Sequence, residues 1–247
     1  MELGYVEMHL TDHCNLNCVG CSHFSSISKP YFKDYIEFVA EMTELSEKFD
    51  VKVLRLMGGE PLLHPDCMKF CSTARDIFPH AQIVLVTNGI LLDRVDVALI
   101  NENDITVCIS DYNLNLNRPE FFGIRKTQAH PKGELYNISL DLEGRQNPQY
   151  AFDNCDLHTH HWNFYKDGRL YPCCVMPNIH IFLEHFGIEW EYKEDDIGIS
   201  VFDNNSEKIV KFLNTPTPLC KYCNTIARSK SKVRHCKSKG EIEEWTC

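Results

Sequence analysis

"YVEMHLTDHCNLNCVGC", residues 5–21, joins a β-rich segment directly to a loop that contains Cys14, Cys18 and Cys21. The β-rich part, residues 5–10, predicts a strand. The cysteines follow the spacing CxxxCxxC, and three thiolates are one fewer than a closed metal site with four ligands requires. The stretch therefore predicts a strand that ends in a metal-binding loop, with the missing ligand supplied from elsewhere.

Strands and helices alternate along the residues that follow this loop. The strand predictions cover 51–59, 82–89 and 104–110, and the helix predictions cover 34–49, 65–78 and 91–100. Such alternation predicts parallel strands joined by right-handed crossovers, with the chemically active residues at the carboxyl ends of the strands. Those ends carry the sequences TDHC, GGEP, TNG and SDY. We therefore predict an α/β fold whose residues 1–147 form a partial (β/α)6 TIM-like barrel.

The character of the chain changes after this barrel segment. Residues 148–247 contain seven of the 13 cysteines, the histidine cluster HTHH at 158–161, and a hairpin-like stretch at 162–172 with a KDG turn. We predict a second, smaller domain over residues 148–247.

The composition of the whole chain excludes several classes of protein. The formal net charge of −10 argues against nucleic acid as a partner, and no apolar run approaches the ~20 residues of a membrane span. The first residues lack the pattern of a secretory signal, so we expect a cytoplasmic protein. In that reducing compartment, 13 cysteines are expected to bind metals rather than to form disulfides.

Two kinds of metal centre suit the three N-terminal cysteines. Three thiolates hold three corners of a [4Fe–4S] cluster and leave the fourth iron open. A zinc site is the alternative, with His13 or His23 as the fourth ligand.

Three motifs together distinguish between these centres. CNLNCVGC at 14–21, GGEP at 58–61 and TNG at 87–89 resemble the motifs of the radical S-adenosylmethionine (radical SAM) superfamily. The resemblance implies a [4Fe–4S] cluster on Cys14, Cys18 and Cys21. It implies binding of the methionine moiety by Gly58, Gly59, Glu60 and Pro61. It implies contacts to the ribose or the carboxylate from Thr87, Asn88 and Ser110.

The resemblance also implies the chemistry of the missing ligand. In this superfamily S-adenosylmethionine chelates the open iron, and an electron from a donor such as flavodoxin or ferredoxin leads to a 5′-deoxyadenosyl radical that removes hydrogen from the substrate. One position departs from the pattern, because the residue before the last cysteine is commonly aromatic and is Gly20 here. Phe24 is our candidate for the missing contact to adenine.

The cysteines of the second domain resemble a twitch domain, a short form of the SPASM domain. The resemblance implies one auxiliary [4Fe–4S] cluster, so two clusters per chain, with the auxiliary ligands Cys155, Cys173, Cys220 and Cys223. The same four thiolates suit zinc, and Cys174 is an alternative ligand to Cys173. Four protein ligands close a cluster completely, so we expect it to relay an electron or to stabilise the fold.

The substrate prediction rests on a wider resemblance. The motifs above, with FLEHFG at 182–187, resemble small radical SAM proteins found near glycosyltransferase and polysaccharide genes, and the cysteine spacing resembles that of aminocyclitol dehydrogenases and epimerases. This implies oxidation or epimerisation of a carbohydrate-like or aminocyclitol small molecule. An epimerase needs a hydrogen donor, for which the candidates are Cys108, Cys174 and Cys236. The alternatives are modification of a ribosomally made peptide and a zinc-stabilised binding module.

Two polar segments have no place in this scheme. The cluster at 158–161 either binds a metal or supplies polar rings to a loop. The basic run RSKSKVRHCKSK at 228–239 is either a solvated segment or a site for the phosphates of a nucleotide-sugar or lipid-linked substrate.

Overall fold

The computed structural model describes residues 1–114, 123–230 and 232–247, which form two compact units. The first unit comprises Met1–Asn15 and Lys29–Gly133, and the second comprises Leu16–Ser28 and Glu134–Cys247. The division at 133/134 precedes the domain boundary predicted at 147/148. The larger difference is the segment Leu16–Ser28, which packs with C-terminal residues although it follows the first strand directly.

The described residues of the first unit contain five parallel strands in the order β1-β2-β3-β4-β5. The strands are β1 (Glu2–Thr11), β2 (Asp50–Gly58), β3 (Gln82–Thr87), β4 (Thr106–Asp111) and β5 (Thr127–Pro131). The helices between the strands are α1 (Tyr35–Lys48), α2 (Cys67–Ile77) and α3 (Val97–Glu102). This mixed α/β arrangement with a parallel sheet confirms the predicted fold class.

Helix ends in this unit follow local capping. The Asp34 side chain accepts hydrogen bonds from the first backbone N–H groups of α1, and the buried face of that helix includes Phe38, Met42 and Leu45. Helix α3 begins later than the predicted residue 91, because Leu92–Arg94 form a 3₁₀ turn and Asp96 caps the helix instead.

Strand register places the carboxyl ends of the strands at one edge of the sheet. Thr11 of β1 pairs with Gly58 of β2, and Thr87 of β3 pairs with Ile109 of β4. The motifs that follow these strands therefore meet at the same edge. We call this edge, formed by residues 11–15, 58–61, 87–89 and 110–111, the strand-end rim.

The second unit is built from short elements around a separate core. Strands β7 (Asn163–Lys166), β8 (Arg169–Tyr171) and β9 (Ile199–Ser200) form an antiparallel ladder, and β6 (Glu134–Tyr136) pairs with β10 (Lys232–Arg234). The helices are α4 (Pro148–Asp153), α5 (Asp156–Thr159), α6 (Ile179–Phe186), α7 (Glu194–Ile197), α8 (Ser206–Leu213) and α9 (Thr225–Arg228). The predicted hairpin at 162–172 is confirmed as β7 and β8, with Asp167 and Gly168 at positive φ in its turn.

Among the described residues, no helix combines the length and the apolar character that crossing a bilayer requires.

Candidate functional site

The two glycines after β2 allow close contact with the end of β1. A Cβ on Gly58 would lie 2.1 Å from the Thr11 carbonyl oxygen, and one on Gly59 would lie 2.1 Å from the His13 carbonyl oxygen. The backbone N–H groups of Gly59 and Glu60 donate to these carbonyls, at 2.9 Å to Thr11 and 3.1 Å to His13. The glycines therefore fix the start of the cysteine loop on the strand-end rim.

The Glu60 carboxylate joins the ends of β2 and β3. It is fully buried and accepts hydrogen bonds from the Thr87 hydroxyl at 2.7 Å, the Asn88 backbone N–H at 2.8 Å and the Leu62 backbone N–H at 3.1 Å. Burial raises the pKa of Glu60, and these donors oppose that shift. Three of about four acceptor positions of the carboxylate are thus occupied by the protein. Pro61 is buried and begins the 3₁₀ turn Pro61–Leu63, which Glu60 caps.

Asn88 connects the strand-end rim to the first cysteine. Its Nδ2 lies 2.7 Å from Asn15 Oδ1 and 3.6 Å from Cys14 Sγ. Its Oδ1 accepts the Ile90 backbone N–H at 3.0 Å, which fixes the orientation of the amide. The structure therefore brings Cys14, Glu60, Thr87 and Asn88 together at the rim, and half-buried Ser110 lies at the end of β4.

Backbone pairing holds the rest of the cysteine loop within the second unit. The Val19 N–H donates to the Cys236 carbonyl at 3.0 Å, and the Ser238 N–H donates to the Asn17 carbonyl at 2.8 Å. The basic run at 228–239 is therefore not simply a solvated segment, because part of it pairs with the cysteine loop. Elsewhere in the run, Lys232 forms an exposed ion pair with Glu134 at 3.1 Å.

Two side chains of the C-terminal segment contact the loop cysteines directly. His235 Nε2 lies 3.1 Å from Cys18 Sγ, and Trp245 Nε1 donates to the Cys21 carbonyl at 3.0 Å. Cys14, Cys18 and Cys21 are all half-buried, and none forms a disulfide with another described residue. The sequence analysis missed both contacts, since His235 and Trp245 are more than 200 residues away from their partners.

The same segment explains why Gly20 replaces an aromatic residue. Gly20 has φ +58°, and a Cβ there would lie 2.8 Å from the Glu244 carbonyl oxygen. Phe24, proposed as the substitute contact to adenine, is a wrong prediction. Its side chain is fully buried and packs against Phe182 and Trp245, with ring centroids at 5.5 and 6.4 Å.

The four predicted auxiliary ligands lie near one another in the second unit. Cys173 and Cys220 are buried, whereas Cys155 and Cys223 are half-buried. Burial raises the pKa of Cys223 to about 12, with the nearby Cys220 and Cys155 thiols adding to the shift. Burial likewise raises the pKa of Cys173, and its neighbours Cys174, Cys155 and Cys223 contribute. Crowding of this kind favours neutral thiols until a metal ion or cluster compensates their charge.

Arg228 is a buried cation among these cysteines. It is 8% exposed, and its Nη1 lies 3.4 Å from Cys155 Sγ. Its Nε and Nη2 donate to the Ile138 carbonyl at 3.2 and 3.0 Å, which fixes the guanidinium. The sequence analysis placed Arg228 at the start of a run that was either solvated or a site for substrate phosphates. The missed signal was Asn224, which caps α9 directly after the CxxC and directs the side chain four residues later toward the cysteines.

The three candidate hydrogen donors have different environments. Cys108 is 1% exposed on β4, with Arg55 Nη2 at 3.6 Å from its sulfur. Cys174 is 5% exposed within the core of the second unit, and Cys236 is exposed. Burial raises the pKa of the Cys108 thiol, so its S–H bond persists at neutral pH.

The histidine cluster supplies aromatic packing in the second unit. The His158 ring stacks on Phe152 with centroids 3.7 Å apart, and the His160 ring stacks on Trp162 at 5.1 Å. These contacts support the second of the two sequence interpretations, polar rings in a loop.

Comparison with known proteins gives a family match over the first part of the chain. Residues 8–119 match the model of the Radical SAM superfamily, and this domain is where the strand-end rim lies. GTP 3′,8-cyclase from Petrotoga mobilis is 27% identical over 149 residues, which are 60% of this chain and 45% of that protein. GTP 3′,8-cyclase from Listeria monocytogenes serotype 4b is 34% identical over 119 residues, 46% of this chain and 35% of that protein. The chain thus spans less than half the length of these curated relatives.

A solved structure supports the fold over most of the chain. The crystal structure of BtrN in complex with AdoMet and 2-DOIA aligns with 91% of this chain and 94% of that one, with a TM-score of 0.51. The sequences are 17% identical, so the likeness concerns the fold alone.

Proposed function

We propose that this chain, whose residues 8–119 carry a Radical SAM superfamily domain, is a radical SAM enzyme that oxidises a carbohydrate-like or aminocyclitol small molecule. The observation that carries the proposal is the Asn88 amide at 3.6 Å from Cys14 Sγ on the strand-end rim. It joins the first cysteine of the motif to the strand ends, where enzymes of this architecture carry out their chemistry.

The N-terminal cysteines suit an iron–sulfur cluster. Cys14, Cys18 and Cys21 form no disulfide with a described residue, and polar side-chain nitrogens of Asn88 and His235 lie near the sulfur atoms of Cys14 and Cys18. Hydrogen bonds to sulfur are a normal part of the surroundings of such clusters. When bound, the cluster and S-adenosylmethionine supply a 5′-deoxyadenosyl radical that removes a hydrogen atom from the substrate. The residues proposed to hold S-adenosylmethionine are Gly58, Gly59, Glu60, Pro61, Thr87, Asn88 and Ser110.

The auxiliary ligand set favours a cluster over zinc. Tetrahedral zinc with Zn–S bonds of about 2.3 Å requires sulfur atoms about 3.8 Å apart. No three of the sulfur atoms of Cys155, Cys173, Cys220 and Cys223, all within the described ranges, lie within 4.8 Å of one another. The wider spacing suits four corners of a larger cluster. Of the adjacent pair, we assign Cys173 as the ligand, because its thiol interacts with those of Cys155 and Cys223.

Oxidation is the reaction that this second centre favours. A buried cation at Arg228 compensates added negative charge near Cys155, so the site suits an electron acceptor. Epimerisation is the second candidate, and it is favoured by Cys108, whose buried thiol keeps the S–H bond that hydrogen return requires.

Metal analysis and cofactor cleavage test the proposal. Anaerobically reconstituted protein should contain about eight irons with matching sulfide per chain, and about four after replacement of Cys14, Cys18 and Cys21 by Ala. The reduced wild-type protein should convert S-adenosylmethionine to methionine and 5′-deoxyadenosine, and the triple variant should not. Zinc without sulfide, or no cleavage beside an active positive control, would contradict the proposal.

Product analysis separates the two reactions. A ketone indicates oxidation, whereas a saturated product with deuterium from heavy water indicates epimerisation. Because the curated relatives are named GTP 3′,8-cyclase, GTP belongs in the substrate panel, and turnover of GTP alone would replace the carbohydrate proposal. Peptides also belong in the panel, because modification of a ribosomally made peptide is the alternative reaction.

A further inference from the structure

A polar cluster lies on three strands of the first unit, below the strand-end rim. It consists of Tyr5 and Glu7 on β1, Arg55 on β2 and Cys108 on β4, and we call it the Arg55 cluster. The residues alternate with buried apolar ones along their strands, so they share one face of the sheet. None of them belongs to the motifs assigned to the cluster or to S-adenosylmethionine.

The guanidinium of Arg55 is incompletely bonded. Its Nη1 donates to the Tyr5 hydroxyl at 2.7 Å, and its Nη2 lies 3.6 Å from Cys108 Sγ, a weak acceptor. Its Nε is buried and has no hydrogen-bond partner among the residues that the structure describes. The nearest Glu7 oxygen lies 3.7 Å from Nη1, too far for a hydrogen bond. The Arg55 side chain is 21% exposed, so the cation is half-buried, and its buried Nε without a described partner costs stability and calls for a functional explanation.

Glu7 is the complementary half of the cluster. It is 7% exposed, and its Oε1 accepts a hydrogen bond from the Tyr5 hydroxyl at 2.5 Å. Burial raises its pKa, although the charges of Arg55 and Lys132 oppose that shift. Because burial outweighs those charges, the Glu7 carboxylate is a stronger proton acceptor than an exposed carboxylate.

We propose that the Arg55 cluster binds a secondary alcohol of the substrate, with Arg55 donating to the hydroxyl oxygen and Glu7 accepting the hydroxyl hydrogen. This deepens and rests on the proposed function, because it assigns the group that is oxidised. A hydroxyl is the group that suits both partners, since it accepts and donates at one oxygen. A carboxylate or phosphate would be repelled by Glu7, and an ammonium group would be repelled by Arg55.

The arrangement also accounts for the balance of the oxidation. The C–H bond beside the hydroxyl breaks, and its hydrogen atom goes to the 5′-deoxyadenosyl radical. The O–H proton passes to Glu7, and the remaining electron passes to a one-electron acceptor, the auxiliary iron–sulfur cluster. The carbon becomes a ketone after loss of two electrons in total. Arg55 stabilises the negative charge that develops on the oxygen.

The experiment compares two variants with matched controls on the same strands. E7Q and R55M alter the Arg55 cluster, whereas E2Q and K52M alter an exposed ion pair between β1 and β2, with Lys52 Nζ 3.4 Å from Glu2 Oε2. The probes are cyclitols, aminocyclitols and hexoses that carry deuterium on the hydroxyl-bearing carbons. Three quantities are measured: the amount of 5′-deoxyadenosine formed with and without each probe, the deuterium content of that 5′-deoxyadenosine, and the amount of ketone formed.

We expect at least one probe to raise 5′-deoxyadenosine formation tenfold or more in the wild type and in both controls. R55M should lose this stimulation. E7Q should still transfer deuterium to 5′-deoxyadenosine and should form at least tenfold less ketone. The proposal is overturned if the stimulation survives in R55M. It is also overturned if no probe stimulates 5′-deoxyadenosine formation in the wild type. Absence of basal cleavage in the wild type contradicts the proposed function instead.

The stability of the ligand-free variants separates a binding role of Arg55 from a structural one. A structural role predicts that R55M is less stable than the wild type, and a binding role does not. Because the Arg55 cluster is incompletely bonded, R55M should unfold at the same urea concentration as the wild type or at a higher one. The same result is expected for the control K52M. A tenfold or larger rise in the unfolding constant of R55M alone would make Arg55 a structural residue and overturn the proposal.

Discussion

Removal of the positive charge at Arg228 should lower the reduction potential of the proposed auxiliary cluster. The Arg228 guanidinium lies 3.4 Å from Cys155 Sγ, and a metal–sulfur bond adds about 2.3 Å. The distance from the guanidinium to the metal atom bound by Cys155 is therefore about 6 Å. At an effective dielectric constant of about 20, a unit charge at this distance stabilises an added electron by about 3 kcal/mol. For a one-electron couple this corresponds to a shift of roughly 120 mV.

The assay uses the background in which Cys14, Cys18 and Cys21 are replaced by Ala, so that a single cluster contributes to the signal. R228Q retains hydrogen-bond donors and loses the charge, whereas R228K retains the charge and loses the planar fork. A redox titration followed by electron paramagnetic resonance should give a potential on the order of 100 mV lower for R228Q. R228K should remain close to the parent protein.

Two results would refute this reasoning. Equal potentials for R228Q and the parent, at equal iron content, would mean that the charge is screened from the cluster. A shift of the same size in R228K would mean that the packing of the guanidinium, and its hydrogen bonds to Ile138, matter rather than the charge.

Three further predictions concern separate contacts. H235F removes the contact of Nε2 with Cys18 Sγ and should lower the potential of the N-terminal cluster, with the auxiliary potential as the internal control. G59A should destabilise the protein by about 2–3 kcal/mol in urea unfolding, because its Cβ would lie 2.1 Å from the His13 carbonyl oxygen. The control G4A has open space around its Cβ and should destabilise the protein far less. Equal effects of the two substitutions would contradict the steric argument. Burial opposes ionisation of Asp141, but hydrogen bonds from Arg145 and Gln146 outweigh it and hold the pKa of Asp141 at about 2. Its folded pKa is below the ordinary value, so about 2 kcal/mol of stability is present above pH ~4 and is lost as the pH falls toward 2; D141N should lack this acid-dependent loss in unfolding curves measured at a series of pH values.

Sequence analysis predicts the parts of the site that depend on local patterns of residues along the chain. Alternating strands and helices place TDHC, GGEP and TNG at successive strand ends, and parallel pairing then brings these ends together without further information. The glycines of GGEP are an instance in which the prediction was incomplete. They were assigned to ligand binding, whereas the structure also requires them for close approach to Thr11 and His13.

The parts that sequence analysis missed depend on contacts between distant residues. Trp245 and Cys21 are 224 residues apart, and neither carries a local signal of the other. Arg228 lies within a basic run whose composition indicates solvent exposure, and only the fold of the second unit buries it. The assignment of Phe24 to adenine failed for the same reason, since its burial depends on Phe182 and Trp245.

The pairing of the cysteine loop with the C-terminal segment has a consequence for the order of events during synthesis. His235 follows Cys18 by 217 residues, which a ribosome adds in roughly 10–45 s. Until then the thiols at Cys18 and Cys21 are without the partners that position them, and they are open to oxidation or to the wrong metal. Delivery of iron and sulfide to the nascent chain would therefore be premature, and we expect the N-terminal centre to be assembled only after translation of the last strand and its flanking residues.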